Sequence, residues 1–390
     1  MKTTGLLLSS ILLAGCLSAC DTSTRKQQTQ KANDGSITTV ETDGHKLTMC
    51  DFALAKDTID VPLSEFIDDC RIIHFDNSDK AMFKAWFTLA TDQYIGVRQE
   101  GAPFKLFDKE GRFLHDIGSV GNGAGEYAIS IYDEVIDEKN GHIFLSPFVG
   151  DKIMMYSIDG SWIKDIKLPT RLNKPKIYLN TDGTLSVVHM PFAEGEYFAF
   201  RMDPEGNILQ QIPATATTKV SDFNGEVFSP RNCNDFDFFH TNIDTLFVYD
   251  PAGNRLLPEF TMTFPNPKEK PVHFYYRLPN HFIITYYYWR KNGPENGGDI
   301  LVDTQKNASS HFRLVNDFYG NLPISNPGYR FYRGYFIQNL EPGQLAEQIE
   351  THLASGKCPA QDKKKLGELA ASLNENDNNV LFIGKIRKRL

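Results

Sequence analysis

Long apolar runs are scarce in this chain. Beyond the first 20 residues no stretch of about 18 apolar residues occurs, so no transmembrane helix is expected there. Cysteine is sparse as well. Cys50, Cys70, Cys233 and Cys358 are the only ones past that point and none forms a CxxC pair, which argues against a zinc site. A Cys50–Cys70 disulfide and free buried thiols stand as equal alternatives. HExxH and GxSxG are both missing, which leaves a metalloprotease and a nucleophile-elbow hydrolase without support. His74, His115, His142, His189, His240 and His281 are scattered over different segments. Packing is the main reading for them, and neither metal nor cofactor is expected. Nor is there a basic excess: the net charge is −8, with no nucleic-acid footprint.

The first 20 residues read as an export signal. Lys2 is the positive start, and Leu6 to Leu13 form an apolar run too short to span a bilayer. Two lipobox-like tetrapeptides follow, Leu13-Ala14-Gly15-Cys16 and Leu17-Ser18-Ala19-Cys20. Cys20 is the expected lipid attachment site, because the chain turns polar immediately after it; Cys16 is the alternative. Residues 21–57 are expected to form a tether and N-terminal segment, polar as far as about residue 45, and residues 58–390 the folded body.

Rings are abundant, with 28 Phe and 16 Tyr, and they fall in short alternating runs that favour strands. A turn recurs among them. Asp108-Lys109-Glu110-Gly111, Asp159-Gly160, Asp203-Pro204-Glu205-Gly206 and Asp250-Pro251-Ala252-Gly253 each precede an alternating strand. The glycines at 111, 160, 206 and 253 are spaced by 49, 46 and 47 residues, a period that marks an array of equivalent units. Within one unit, runs at 131–136, 142–146, 152–156 and 162–166 describe four short antiparallel strands, the plan of a propeller blade. Blades are expected near 83–117, 129–168, 175–213, 226–264 and 272–315, with a sixth from Tyr329–Gln338 and Val380–Ile386. A helical insertion is expected at about 342–373, and Arg71–Phe75 is expected to complete the last blade. The fold class is therefore all-β, a six-bladed β-propeller with a helical insertion in its last blade.

Four stretches carry a resemblance. They are Ile59–Glu65, the glycine-rich run Gly118–Tyr127, Asp244–Phe247 and Asn376–Leu381. In these the chain resembles the six-bladed β-propeller lipoproteins of anaerobic gram-negative bacteria, with NHL-like repeats and a TolB-like fold; Ala124 and Asn379 stand where that family usually has Pro. The resemblance implies a fold and a cell-envelope address, at the outer membrane on its periplasmic or surface face. It implies little about activity.

Gly118–Gly125 is expected to be an interblade turn locked by Glu126 and Tyr127, not a phosphate cradle, since a strand and not a helix follows it. Two aromatic and basic clusters are the candidate binding sites: Tyr286–Lys291, leading into the glycine-rich loop Gly293–Gly298, and Tyr329–Tyr335. Trp289, Arg290, Tyr332 and Arg333 are the expected ligand contacts, all on one face of the ring. The expected function is an envelope-anchored module held to the membrane by its lipid and binding a glycan, a peptide or an envelope protein. The alternative is a propeller enzyme, a lyase or a lactonase-like hydrolase, using the central channel.

Overall fold

The computed structural model describes residues 34–388 apart from 43, 193, 223, 326 and 327. The signal and both candidate lipid-attachment cysteines lie outside the described residues. Among the described residues no helix is long and apolar enough to cross a membrane.

The architecture is an all-β propeller. Five antiparallel blades are each made from one continuous stretch of chain, within 87–117, 131–173, 176–213, 227–263 and 272–316. In each, the first strand is innermost and the sheet meanders outward. A further four-stranded sheet is composite. Arg330–Tyr332, Tyr335–Leu340 and Val380–Lys385 come from the end of the chain, and Arg71–His74 comes from before the first blade. Ile73 and Leu381 are directly paired in it, as the unpartnered run at 71–75 suggested.

Each junction between neighbouring sheets is an apolar layer, because alternate strand residues face the next blade. Leu106 packs with Ile143 and Met154, and Val187 with Ile153. The last junction matters most for closure: Ile73, Ile337 and Leu381 pack against Ile95, Val97 and Phe107 of the first blade. Helices α1 (Pro342–Ala354) and α2 (Lys363–Ser372) interrupt the composite sheet between its second and third strands. Their buried Leu345, Ile349 and Leu366 join the layer that contains Phe331, Phe336 and Phe382.

The recurrent Asp turn has a simple cause. Asp203 Oδ1 accepts from the N–H of Glu205 (3.0 Å) and of Asn207 (2.8 Å), so the carboxylate substitutes for a missing backbone partner. Gly206 lies at φ +93°, and a Cβ there would stand 2.3 Å from the Lys167 carbonyl oxygen of the preceding blade. In the fifth blade, Asp303 accepts from Gln305 and Lys306 in the same way, and Asn307 takes the left-handed position at φ 50°.

One expectation requires correction, and one open alternative is decided. Part of the segment assigned to the tether is strand. Ile37–Thr42 and His45–Asp51 form a hairpin whose second strand pairs in parallel with Arg255–Thr263 of the fourth blade. Farther on, Thr58–Pro62 pairs in parallel with Ala308–Asn316 of the fifth blade. These additions cover strand edges that would otherwise present free N–H and C=O groups. Of the two alternatives for Cys50 and Cys70, the structure has free thiols. All four described cysteines are free thiols, with Cys50 buried beside the fourth and fifth blades and Cys70 beside Asn316.

Candidate ligand site at one mouth of the ring

The innermost strands run between two cavities. Phe87, Tyr132, Lys176, Phe228, Phe274 and Arg330, near the starts of these strands, line one cavity of about 910 Å³. Ala90, Asp137, Leu179, Arg277 and Arg333, at or just beyond their ends, line the other, of about 1120 Å³.

Between them, residues 229–234 of the fourth blade reach across to the second, third and composite sheets. The Arg333 N–H donates to the Pro230 carbonyl at 2.7 Å, and Asn232 Nδ2 donates to the Phe331 carbonyl at 3.0 Å, so the fourth blade touches the composite sheet directly. Arg231, with its backbone at φ 56°, reaches the second blade, where its guanidinium grips Asp133 through bonds of 3.0 and 2.8 Å. It also donates to the Ile177 carbonyl of the third blade (2.7 Å) and to the Tyr332 hydroxyl (2.9 Å). Burial alone would raise the Asp133 carboxyl, but Arg231, Lys176 and Arg333 outweigh it and hold Asp133 well below the usual carboxylate range. A bulge between Ile131 and Asp133 turns the strand so that Asp133 and its neighbour Glu134 are both fully buried.

Above this plug lies the floor of the first cavity. Arg98 pairs with Glu134 at 2.8 Å. Arg98 and Lys176 (3.2 Å) both donate to the one Tyr132 carbonyl oxygen. Burial drives the Lys176 ammonium down to about 7, and Arg98 and Arg231 push the same way against Asp133. Arg330 lays its guanidinium on the Phe87 ring, 4.0 Å from the centroid, and forms no ion pair with any described carboxylate. Glu226 lines the cavity but is engaged, by Lys174 at 2.6 Å and by the Tyr132 hydroxyl.

The walls are aromatic. Phe228 and Phe274 meet edge-on, and Tyr287 leads to Trp289 at the lip. The expected glycine-rich loop at 293–298 is instead strand. His281–Arg290 and Gly293–Asp303 form one long hairpin that continues past Val272, the end of its inner neighbour, and lifts Trp289 clear of the blade. Trp289 is 69% exposed and Trp86, also lining the cavity, is 44% exposed.

Residues 48–385 match the model of a domain of unknown function, DUF4934. The chain belongs to this family. Among solved structures, the DUF4934 chain is similar to a protein of Bacteroides fragilis NCTC 9343 described as exported. Identity is 16% and the TM-score 0.61, over 87% of this chain and all of that one. It is also similar, at 9% identity and a TM-score of 0.45, to a DUF4221 member from Bacteroides vulgatus, over 83% of this chain and 98% of that one. A catalytically inactive virginiamycin B lyase of Staphylococcus aureus matches at 10% identity and a TM-score of 0.43, over 81% and 99%. No curated protein matches the DUF4934 chain. The likeness at a TM-score of 0.61 concerns the fold.

The four expected contacts are dispersed in the DUF4934 structure. Trp289 is at the lip of the first cavity. Arg290 points away to solvent, paired with Glu295 at 2.9 Å and lying on the Tyr288 ring. Tyr332 is 2% exposed and belongs to the plug. Arg333 lines the opposite cavity and reaches Asp133 and Glu134. They do not share a face, because three residues of inner strand carry the chain from one cavity to the other. Arg98, Lys176 and Arg330 were not singled out as ligand contacts. The readable signal was a basic residue at the start of an inner strand, as in Lys176 and Arg330.

The glycine-rich run holds an anion of its own. Glu126 accepts from the Gly123 N–H at 2.7 Å and from Ser119 at 3.2 Å, and a Cβ on Gly121 would stand 2.1 Å from its carboxylate. Tyr127 ties the turn to the first blade through Phe104 N and Ala102 O. Among the described residues no group of three or more His, Cys, Asp or Glu side chains could hold a metal ion.

Proposed function

We propose that this DUF4934 protein is an exported, lipid-anchored propeller that binds a small ring-bearing ligand at its aromatic mouth. The composite sheet counts as the sixth, closing blade, with α1 and α2 as its insertion and NHL-like units around the ring. The observation that carries the binding role is the pair of exposed indoles, Trp289 and Trp86, on a cavity of about 910 Å³. That volume suits a small molecule, and exposed indoles cost solvation unless a ligand covers them. The hairpin extends beyond its inner neighbour, and although Tyr288 still packs on the blade, Trp289 is carried out to the lip, which supports a role there.

The test is a glycan and peptide screen on wild type and Trp289→Ala. The variant should fold normally and lose the binding that wild type shows. Unchanged binding in Trp289→Ala would remove the mouth as the site. The anchor is tested separately: Cys20→Ala should release the protein from membranes and abolish labelled fatty-acid incorporation, while Cys16→Ala should do neither. Label retained in Cys20→Ala but lost in Cys16→Ala would move the attachment to Cys16.

A further inference from the structure

We infer that the floor of this cavity is an oxyanion subsite, so that the ligand carries a carboxylate which Arg330 and Lys176 bind while its ring rests on the wall aromatics. This deepens the reading above and rests on it. Four cations line the cavity, Lys84, Arg98, Lys176 and Arg330, against the carboxylates Glu226 and Glu341. Geometry removes most of these from the account. Arg98 is neutralised by Glu134 at 2.8 Å, Glu226 by Lys174 at 2.6 Å, and Lys84 and Glu341 sit exposed at the rim.

What is left on the floor is Arg330 and Lys176. Lys176 is 7% exposed and spends its ammonium on the neutral Tyr132 carbonyl and on the Tyr132 ring face, 4.0 Å from the centroid. Arg330 has an aromatic face for its guanidinium and no countercharge. Asp133 favours the Lys176 ammonium through charge alone, its oxygens being bonded to Arg231, and Arg330 has no carboxylate partner; cations kept out of water in this way oppose folding, and a core selected only for stability would replace them with apolar residues. A planar fork and a buried ammonium lining one cavity, on either side of the paired Arg98, suit a carboxylate in charge, and the fork suits it in shape. The adjoining rings supply the stacking surface for the rest of the molecule.

The experiment uses three acid–amide pairs: glucuronate with glucuronamide, benzoate with benzamide, and indole-3-acetate with indole-3-acetamide. Each is titrated by calorimetry into wild type, Arg330→Gln and Lys176→Met at pH 6.5 and constant ionic strength, with folding of the variants checked by circular dichroism and melting. At least one acid should bind wild type tenfold or more tightly than its amide. Arg330→Gln should erase that preference and Lys176→Met should reduce it. If amides bind as tightly as acids, or the preference survives Arg330→Gln, the subsite is refuted while ligand binding at the mouth stands. If no acid in the panel binds at 20 mM (roughly the weak end of small-ligand affinity), the subsite is refuted, and the screen with Trp289→Ala decides the broader reading independently.

Discussion

Removing the Asp133 carboxylate should be among the most damaging single changes to this protein. That group accepts two bonds from Arg231, one from the Ile177 N–H at 2.7 Å and one from the Tyr332 hydroxyl at 3.3 Å, with no exposure to water. Asp133→Ala leaves the buried Arg231 guanidinium without its countercharge, a loss of about 3–5 kcal/mol. It also orphans the Ile177 N–H, which adds about 1–3 kcal/mol. A total near 5 kcal/mol is a large part of the roughly 5–15 kcal/mol that holds a folded protein together. At about 2.1 cal/mol/K per residue over about 350 residues, the unfolding entropy is about 0.7 kcal/mol/K, so the melting temperature should fall by about 7 °C. The double variant Asp133→Leu with Arg231→Met removes both charges together and should recover most of that loss. The same carboxylate sets an acid dependence. Its folded pKa lies below the unfolded value, so its contribution is complete above about pH 4 and is lost as pH falls from there. Wild type should therefore lose stability more steeply than Asp133→Ala below about pH 4. Calorimetric melts of the three proteins across pH decide the matter. A single variant within about 2 °C of wild type, or a double variant as unstable as the single, would refute the plug as a charge-paired unit.

Three further outcomes are expected. Gly206→Ala should lower the melting temperature well beyond Gly183→Ala: both glycines have positive φ, but a Cβ at 206 meets the Lys167 carbonyl at 2.3 Å while a Cβ at 183 meets nothing within 4 Å; equal melts would discount the backbone contact. Deleting residues 383–390 removes half of the Val380–Lys385 strand from the middle of the composite sheet, so the product should aggregate or be rapidly proteolysed; a monomer with an unchanged melt would place ring closure elsewhere. Cys50, Cys70 and Cys233 should react with Ellman's reagent only on unfolding, since burial pushes their thiols up to about 11, 12 and 12; rapid titration of any of them in the native protein would contradict that burial.

The blades were legible because their turns are local. An Asp and a residue in the left-handed region a few positions apart report one turn each, and the alternating runs between them report strands. The plug was hidden for the opposite reason. Asp133 and Arg231 lie 98 positions apart, and residues 229–234 look like any other turn until the ring brings four sheets together at its axis. The N-terminal hairpin was missed because Ile37–Thr42 buries only Ile37 and is held by backbone bonds, which composition does not reveal. The candidate contacts were divided between two cavities because Arg330–Tyr332 is so short that Arg330 and Arg333 stand at opposite ends of it.

The course of the N-terminal segment has a mechanical consequence. At residue 34 the chain touches the fifth blade, where the Asp34 carboxylate accepts from the Ser309 N–H at 3.1 Å; it then lines the edge of the fourth blade, pairs with the fifth, and enters the composite sheet at Arg71–His74. Tension applied at residue 34 therefore acts on these attachments in series. The Asp34–Ser309 bond and the hairpin at 37–51 must give way first, then the Thr58–Pro62 pairing, and only afterwards does load reach Arg71–His74. The hairpin covers an edge without completing a blade, so its release lengthens the free N-terminal segment and dissipates work while the five continuous blades keep their pairing. Under load from its N-terminal side the segment would give way in graded steps, as a mechanical fuse ahead of the ring.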